Sequence, residues 1–223
     1  MNAEESLENK IQDYSFFLSK VGKPIPDSGG GAVAAYSGSL ATVLMLKVCR
    51  IETKNRSAGN IERVQWESLS LESTHLAEKF LELIQQDCQA YENWVLARNS
   101  SKYDEKPHAA FLETIHVPIQ IVCATGQGLS LARTVVRDCK RRLTADVMVS
   151  VELYKSALRG AQRIAEANIR ISDSNVGLRI VEKRLEQSVN EAWNIYQELV
   201  KAHPLDVKHV FIREILVSTN QDY

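Results

Sequence analysis

Residues 24–41, PIPDSGGGAVAAYSGSLA, contain the strongest interruption of regular structure in the chain. Two prolines and three consecutive glycines cannot continue a helix without a large cost, so a helix that precedes them must end there. After the glycines, residues 32–41 are mostly small and apolar, which allows another backbone to approach closely. We therefore predict a glycine-rich turn that opens a tightly packed helix, lying either at the centre of the fold or at an interface.

Apolar residues elsewhere recur at spacings of three and four, the pattern of amphipathic helices. Six helical segments are predicted, at residues 7–21, 32–54, 61–99, 109–139, 142–171 and 175–202. We expect an all-α fold, an antiparallel bundle of about six long helices, in one domain that spans residues 1–223. Pro118 is expected to kink the fourth helix. The tail at residues 207–218 contains VFIREILVS, which is compatible with either a helix end or a short strand.

The composition is that of an ordinary globular domain. Hydrophobic residues make up 44% and charged residues 25% of the 223 residues, and the formal net charge is -1. This balance supplies no strong positive field, so neither nucleic acid nor an anionic membrane is expected as a partner. Four dispersed cysteines, without a C-x-x-C pair or a Cys/His cluster, predict reduced thiols and no metal site.

The N-terminal segment and the hydropathy indicate where the protein works. The first ten residues are polar and acidic, unlike a signal or transit peptide. No unbroken apolar run approaches the roughly 18 residues of a membrane-spanning helix. We therefore expect a cytoplasmic protein with no membrane partner.

The glycine-rich turn is a candidate binding site. Gly29, Gly30 and Gly31 lead into the N-terminus of a helix, where backbone N–H groups and the helix dipole favour an anion such as a carboxylate or phosphate. The turn is not a P-loop or a dinucleotide-binding fingerprint, because the Lys-Ser/Thr pair and the G-x-G-x-x-G spacing are both missing. A flexible linker is the alternative interpretation.

Asp87 is the most unusual polar side chain, since it lies within the apolar stripe of the third predicted helix, between Leu83 and Tyr91. A carboxylate in such a position is costly unless it is paired, protonated or turned toward a cleft. It is therefore a candidate catalytic acid or base. The alternative is a structural ion pair with a neighbouring helix.

Two further polar side chains project from apolar faces of the fifth predicted helix. Asp146 lies between Leu143 and Val149, and Asn168 precedes Ile171 by three residues. Each also has a structural interpretation: Asp146 as a charge favoured by the helix dipole at an N-terminus, and Asn168 as a satisfied core amide. Convergence of these residues on one cleft would favour a functional site.

The sequence resembles the formiminotetrahydrofolate cyclodeaminase and methenyltetrahydrofolate cyclohydrolase family. Residues 24–41 are similar to the family pattern P-x-P-G-G-G-S-V-A-A-L-x-G-A-L-A, which opens its second helix. Four other stretches resemble further family segments in the expected order: QQDCQAY around Asp87, VPIQIV around Pro118, TADV around Asp146 and ANIRI around Asn168.

The resemblance implies an enzyme of one-carbon folate metabolism. It implies an all-α homodimer with a folate site in a cleft beside the glycine-rich loop, and no cofactor besides the tetrahydrofolate derivative that serves as substrate. Asp87 would then be the catalytic carboxylate, because it can stabilise the cationic one-carbon bridge of the folate and help move a proton to or from water or the leaving amine.

The resemblance also implies which residues bind the substrate. The backbone amides of Gly29, Gly30 and Gly31, together with Asp146 and Asn168, would position the pterin or its tail. No formiminotransferase domain accompanies this domain in the sequence, so we expect a methenyltetrahydrofolate cyclohydrolase, which converts 5,10-methenyltetrahydrofolate to 10-formyltetrahydrofolate, before a cyclodeaminase.

The sequence departs from the family pattern at three places. Asp27 and Ser28 are inserted before the glycines, Ala32 replaces a hydroxyl residue, and Ser172 replaces the second Asn of an N-V-x-I-N segment. These changes favour an alternative hypothesis, a diverged and catalytically inactive folate-binding or helical assembly protein. A third hypothesis is an interaction module that dimerises through the small residues of 32–41, with Gly38 at the contact.

Overall fold

The computed structural model describes residues 17–23, 29–98, 106–172 and 176–204. Five long helices are numbered here in chain order: α1 (Gly30–Lys54), α2 (Ile61–Arg98), α3 (Lys106–Asp138), α4 (Thr144–Ile171) and α5 (Val176–Ala202). Residues 17–21 are also helical, and a 3-10 helix at Arg141–Leu143 leads into α4. The described ranges contain no strand. The predicted all-α helical bundle is confirmed, while the C-terminal tail lies outside the described residues.

Helix α1 lies at the centre of the part of the bundle that α1, α2 and α4 form. It packs against α2 and α4, while α3 packs on α2 and α4, and α5 packs on α3 and α4. Toward α2, Ala32 lies opposite Asp87, and a Cβ on Gly38 would overlap the ring of Phe80. Since the residue number falls along α2 as it rises along α1, these two helices are antiparallel.

Small residues also bring α1 close to α4. A Cβ on Gly160 would lie 3.1 Å from the Cβ of Ala34, and at the other end Lys47 pairs with Asp146 at 2.9 Å. Most of the small residues of α1 are buried in these contacts within one chain: Gly31, Ala32, Ala34, Ala35, Gly38, Ser39 and Ala41. The hypothesis of a dimer contact at Gly38 is therefore wrong, since Phe80 of the same chain already occupies that position.

Two of the helices are long and apolar enough to cross a membrane, namely α1 and the part of α3 from His108 to Asp138. The mean hydropathy of these two helices is high although polar residues interrupt their apolar runs. In α1, 61% of the apolar window is buried inside the bundle, as it is for the core helix of many water-soluble folds. The length and composition of these helices are therefore weak evidence for a membrane.

A buried carboxylate fastens the end of α1 that lies far from the glycine turn. The Glu52 side chain is fully buried, and its Oε1 accepts a 2.9 Å hydrogen bond from the backbone N–H of Lys140. Its Oε2 pairs with Arg56, whose guanidinium also pairs with Glu62 and lies over the ring of Trp66. Burial alone would raise the pKa of Glu52, but the hydrogen bonds from Lys140 and Arg56 lower it below its usual range.

Candidate functional site

The carboxylate of Asp87, near the C-terminal end of α2, lies against the glycine turn that opens α1. Its Oδ2 accepts a 2.7 Å hydrogen bond from the backbone N–H of Ala32. Ala32 is in the first turn of α1, where N–H groups have no partner within the helix. The N-cap residue, Gly29, has no side chain to cap them. Asp87 therefore caps α1 from a neighbouring helix.

Gly31 allows the carboxylate to come this close. A Cβ on Gly31 would overlap the carboxyl group of Asp87. A Cβ on Gly30 would instead meet the side chain of Ile164 at 3.0 Å, and a Cβ on Gly29 would meet no atom of the described residues within 4 Å. Of the three glycines, Gly31 is the one at which a side chain would exclude the Asp87 carboxyl group from its position.

The surroundings of Asp87 favour the neutral form of its carboxyl group. Burial raises the pKa of Asp87 above the usual range of an aspartate, and the hydrogen bond from Ala32 offsets only part of this effect. Among the residues that the structure describes, no cation forms an ion pair with Asp87. The ion pair considered as its structural alternative is thus not observed in these ranges.

Other N–H groups at the start of α1 point out of the helix end. The backbone of Gly29 is extended, and its carbonyl accepts the first helical hydrogen bond from the N–H of Val33 at 3.1 Å. For the N–H groups of Gly30 and Gly31, no described residue supplies an acceptor. Gly30 is exposed, so its N–H can donate a hydrogen bond to an oxygen atom of a ligand, whereas Gly31 is buried. The predicted binding role of the three glycines stays a prediction.

Asn168 satisfies a carbonyl group that a proline has left without a donor. Its Nδ2 donates a 2.7 Å hydrogen bond to the backbone oxygen of Thr114. Pro118, four residues further along α3, has no N–H to donate to that oxygen. The side chain of Asn168 replaces the missing helical bond, as in the structural interpretation of this residue. Its predicted contact with folate stays a prediction. The residue one turn earlier in α4, Ile164, faces the glycine turn.

This geometry predicts a coupling between Asn168 and Pro118 in the stability of the fold. Asn168→Ala leaves the Thr114 oxygen without a donor and should lower the free energy of unfolding by about 1–3 kcal/mol. Pro118→Ala restores an N–H within α3, so Asn168→Ala should cost clearly less in that background. Urea unfolding of the wild type, both single variants and the double variant measures the coupling. Equal losses in the two backgrounds would contradict it.

Asp146 lies at the opposite end of α1 from Asp87. It is in the first turn of α4, as its structural interpretation proposed, and pairs with the exposed side chain of Lys47. Gly31 and Lys47 are 16 residues apart in one helix, which corresponds to about 24 Å. Within one chain, Asp146 and Asp87 are not brought together. The predicted role of Asp146 in binding stays a prediction that requires a second copy of the chain.

An aromatic cluster that we did not single out in the sequence lies beside Asp87. The ring centroids of Tyr91 and Trp94 are 5.8 Å apart, and that of Phe111, from α3, is 5.7 Å from Trp94. The signal available in the sequence is the spacing of Asp87 and Tyr91, which are one helical turn apart. Among the described residues, no group of three or more His, Cys, Asp or Glu side chains is arranged to hold a metal ion.

Comparison with known proteins identifies the family. A sequence profile described as formiminotransferase-cyclodeaminase matches residues 13–187, which is most of the chain and includes the glycine turn, Asp87 and Asn168. The chain belongs to this family. No curated protein matches the chain.

A solved structure supports the same fold. Formiminotetrahydrofolate cyclodeaminase from Thermotoga maritima superposes with a TM-score of 0.76 at 19% sequence identity. The match covers 83% of this chain and 92% of the other chain. At this identity the likeness establishes a shared fold, and the reaction must be argued from the site.

The departures from the formiminotransferase-cyclodeaminase pattern can be located in the structure. Ala32 lacks a side-chain hydroxyl, but its hydrogen bond to Asp87 comes from the backbone N–H and does not depend on the side chain. Ser172 directly follows α4, where its N–H donates to the carbonyl of Asn168 at 3.3 Å. Asp27 and Ser28 lie outside the described residues. The substitution at Ala32 therefore leaves the cap of α1 in place.

Proposed function

We propose that this chain is an enzyme that acts on the cationic one-carbon bridge of a reduced folate, with hydrolysis of 5,10-methenyltetrahydrofolate to 10-formyltetrahydrofolate as its first reaction. The observation that carries the proposal is the Asp87 carboxyl group, which is partly buried beside the N–H groups at the start of α1 and has a raised pKa. Family membership supports a folate as the substrate.

Asp87 can supply the two effects that this hydrolysis needs. The substrate is an amidinium cation, and a nearby carboxylate stabilises it more strongly where water is excluded. A water molecule then forms a C–O bond to the bridging carbon while Asp87 takes one of its protons. The bond from that carbon to N5 breaks, N5 is protonated, and 10-formyltetrahydrofolate leaves with net release of one proton. The N–H group of Gly30, which is exposed, would hold a substrate oxygen.

Cyclisation of formiminotetrahydrofolate, with loss of ammonia, is the second candidate reaction. It is favoured by the name of the structural neighbour, which is a formiminotetrahydrofolate cyclodeaminase. The two reactions share the cationic bridge, so the same carboxylate suits both: here Asp87, in its protonated form, would donate a proton to the leaving amine. The raised pKa of Asp87 favours that form.

One set of assays tests these reactions against the inactive alternative. Loss of methenyltetrahydrofolate absorbance, measured with and without protein, reports hydrolysis; release of ammonia from formiminotetrahydrofolate reports cyclodeamination. A thermal-shift titration with folinate reports binding alone. Binding without either reaction would support the diverged binding protein, and no binding would exclude a folate function. Activity that is the same in wild type and Asp87→Ala would exclude the proposed mechanism.

We also propose that the chain forms a homodimer through the outer face of α1. Val33, Leu40 and Val43 lie on one side of this helix, and each is roughly half exposed although each is a large apolar residue. Contiguous exposed apolar residues indicate a contact surface. We place the protein in a reducing cytoplasm, which keeps the four cysteines as thiols. A dimer could also bring Asp146 of one chain to the candidate site of the other.

Two carboxylates introduced on this face of α1 should prevent the chains from associating. The double variant Leu40→Glu/Val43→Glu is expected to have the mass of a monomer in light scattering, because four carboxylates would be buried in each dimer. Leu71→Glu, on an exposed position of α2, is the matched control and should leave the mass unchanged. A wild-type protein that is already monomeric, or a double variant that still dimerises, would contradict the assignment of this face.

A further inference from the structure

The place of the Tyr91 side chain follows from that of Asp87 on the same helix. Tyr91 is four residues after Asp87 in α2, so the two side chains lie on the same face of that helix, about 6 Å apart along its axis. Because α1 and α2 are antiparallel and Asp87 lies opposite the first turn of α1, the next turn of α2 extends past the start of α1. Tyr91 therefore borders the region into which the first N–H groups of α1 point.

This ring is both supported and accessible. Trp94 lies 5.8 Å away on one side, and Phe111 of α3 supports Trp94 in turn. The guanidinium of Arg98 lies over the Trp94 ring at 5.6 Å. Tyr91 itself is 41% exposed. An aromatic ring that is partly exposed and contacts another ring at its side is suited to stacking.

We infer that Tyr91 is a specificity-determining residue that stacks on the planar pyrimidinone ring of the reduced pterin. The inference rests on the proposed function. A reduced pterin whose pyrimidinone ring stacks on Tyr91 would extend toward Asp87, one turn away, and would place the cationic one-carbon bridge next to the carboxylate. The tail of the folate is not involved in this contact. Tyr91 thus recognises the ring system, while Asp87 acts on the bridge.

Calorimetric titration with folinate measures this contact without any reaction. Replacing Tyr91 with leucine should raise the dissociation constant about 10- to 100-fold, the size of an aromatic stacking contribution, whereas Tyr91→Phe should stay within about threefold of wild type. Tyr91→Met is a second non-aromatic variant in case the leucine variant does not fold. Leu81→Ala, an exposed apolar position on the same helix, is the matched control and should bind as wild type does.

The outcomes separate this inference from the proposed function. Folinate binding that is equal in wild type, Tyr91→Leu and Tyr91→Met would overturn the role of Tyr91 and leave the folate site standing. Equal weakening by the phenylalanine and leucine variants would also overturn it, since stacking needs the ring and not the hydroxyl. A wild type that binds no folinate would overturn the proposed function and this inference together.

Discussion

Asp87→Asn is expected to lower the turnover of methenyltetrahydrofolate by about 10²- to 10⁴-fold, the usual contribution of a positioned acid or base. Asparagine has nearly the same shape, and its side-chain oxygen can still accept the hydrogen bond from the N–H of Ala32. It cannot carry the negative charge or take up a proton. The substitution therefore removes the chemistry and keeps the cap of α1. Steady-state measurement of the absorbance loss at neutral pH gives the size of the effect.

The same substitution should make the fold more stable at neutral pH. Burial raises the pKa of Asp87 above its unfolded value of about 3.9, so the folded protein binds the proton more tightly than the unfolded chain does. Ionised Asp87 therefore lowers the free energy of unfolding. This loss is absent below the unfolded pKa, grows between the two pKa values and is complete above the folded pKa. Urea unfolding of both proteins should show a gain from Asp87→Asn at pH 7 that disappears toward pH 3.

A matched control separates this effect from the general loss of a negative charge. Glu78→Gln removes an exposed carboxylate from the same helix and should change neither turnover nor stability measurably. An Asp87→Asn variant that retains wild-type turnover would show that the carboxylate does not take part in the reaction. A variant that is less stable than wild type at pH 7 would show that the desolvation argument has the wrong sign.

Gly31→Ala is expected to reduce both stability and activity. The new Cβ would occupy the space of the Asp87 carboxyl group, so either that side chain or the start of α1 must move. Overpacking of this kind costs about 1–3 kcal/mol. Movement of the carboxylate by about 1 Å can cost about 100-fold in rate. Thermal unfolding and the folate assay measure the two effects on the same preparation.

The cause of the effect at Gly31 can be checked by removing the group with which the alanine collides. In the Asp87→Ala background the clash is absent, and alanine is a better helix former than glycine by roughly 1 kcal/mol, so Gly31→Ala should then be neutral or stabilising. Gly29→Ala is the control for stability, since no described atom lies close to its Cβ. A loss at Gly31 that is the same with and without Asp87 would refute the steric explanation.

The helices could be predicted from the sequence because their signals are local. Apolar spacings located the five long helices to within three residues at each end, and the punctuation at residues 24–31 located the start of α1. The proximity of Asp87 to the glycine turn is consistent with a second local signal, a carboxylate on an apolar stripe. Such a residue needs a particular partner, and the free N–H groups of a helix start can provide it.

The remaining polar residues show where local signals are insufficient. Asp146 interrupts an apolar pattern much as Asp87 does, yet it lies in an exposed first turn, paired with Lys47. Periodicity reports the face of a helix and not which end of the bundle a residue occupies. The role of Asn168 depends on Pro118, 50 residues earlier in the chain, and the sequence does not tell which side chain satisfies a carbonyl freed by a proline.

The two carboxylates at opposite ends of α1, Asp87 and Glu52, should take up protons at different pH. Asp87 has a raised pKa and takes up a proton first, whereas Glu52, held by Arg56 and the Lys140 N–H, has a lowered pKa and keeps its charge to lower pH. As the pH falls, hydrolysis would therefore be lost before Glu52 is protonated and its hydrogen bonds at the other end of α1 are broken. Such inactivation would be fully reversible on neutralisation, without passage through an unfolded chain.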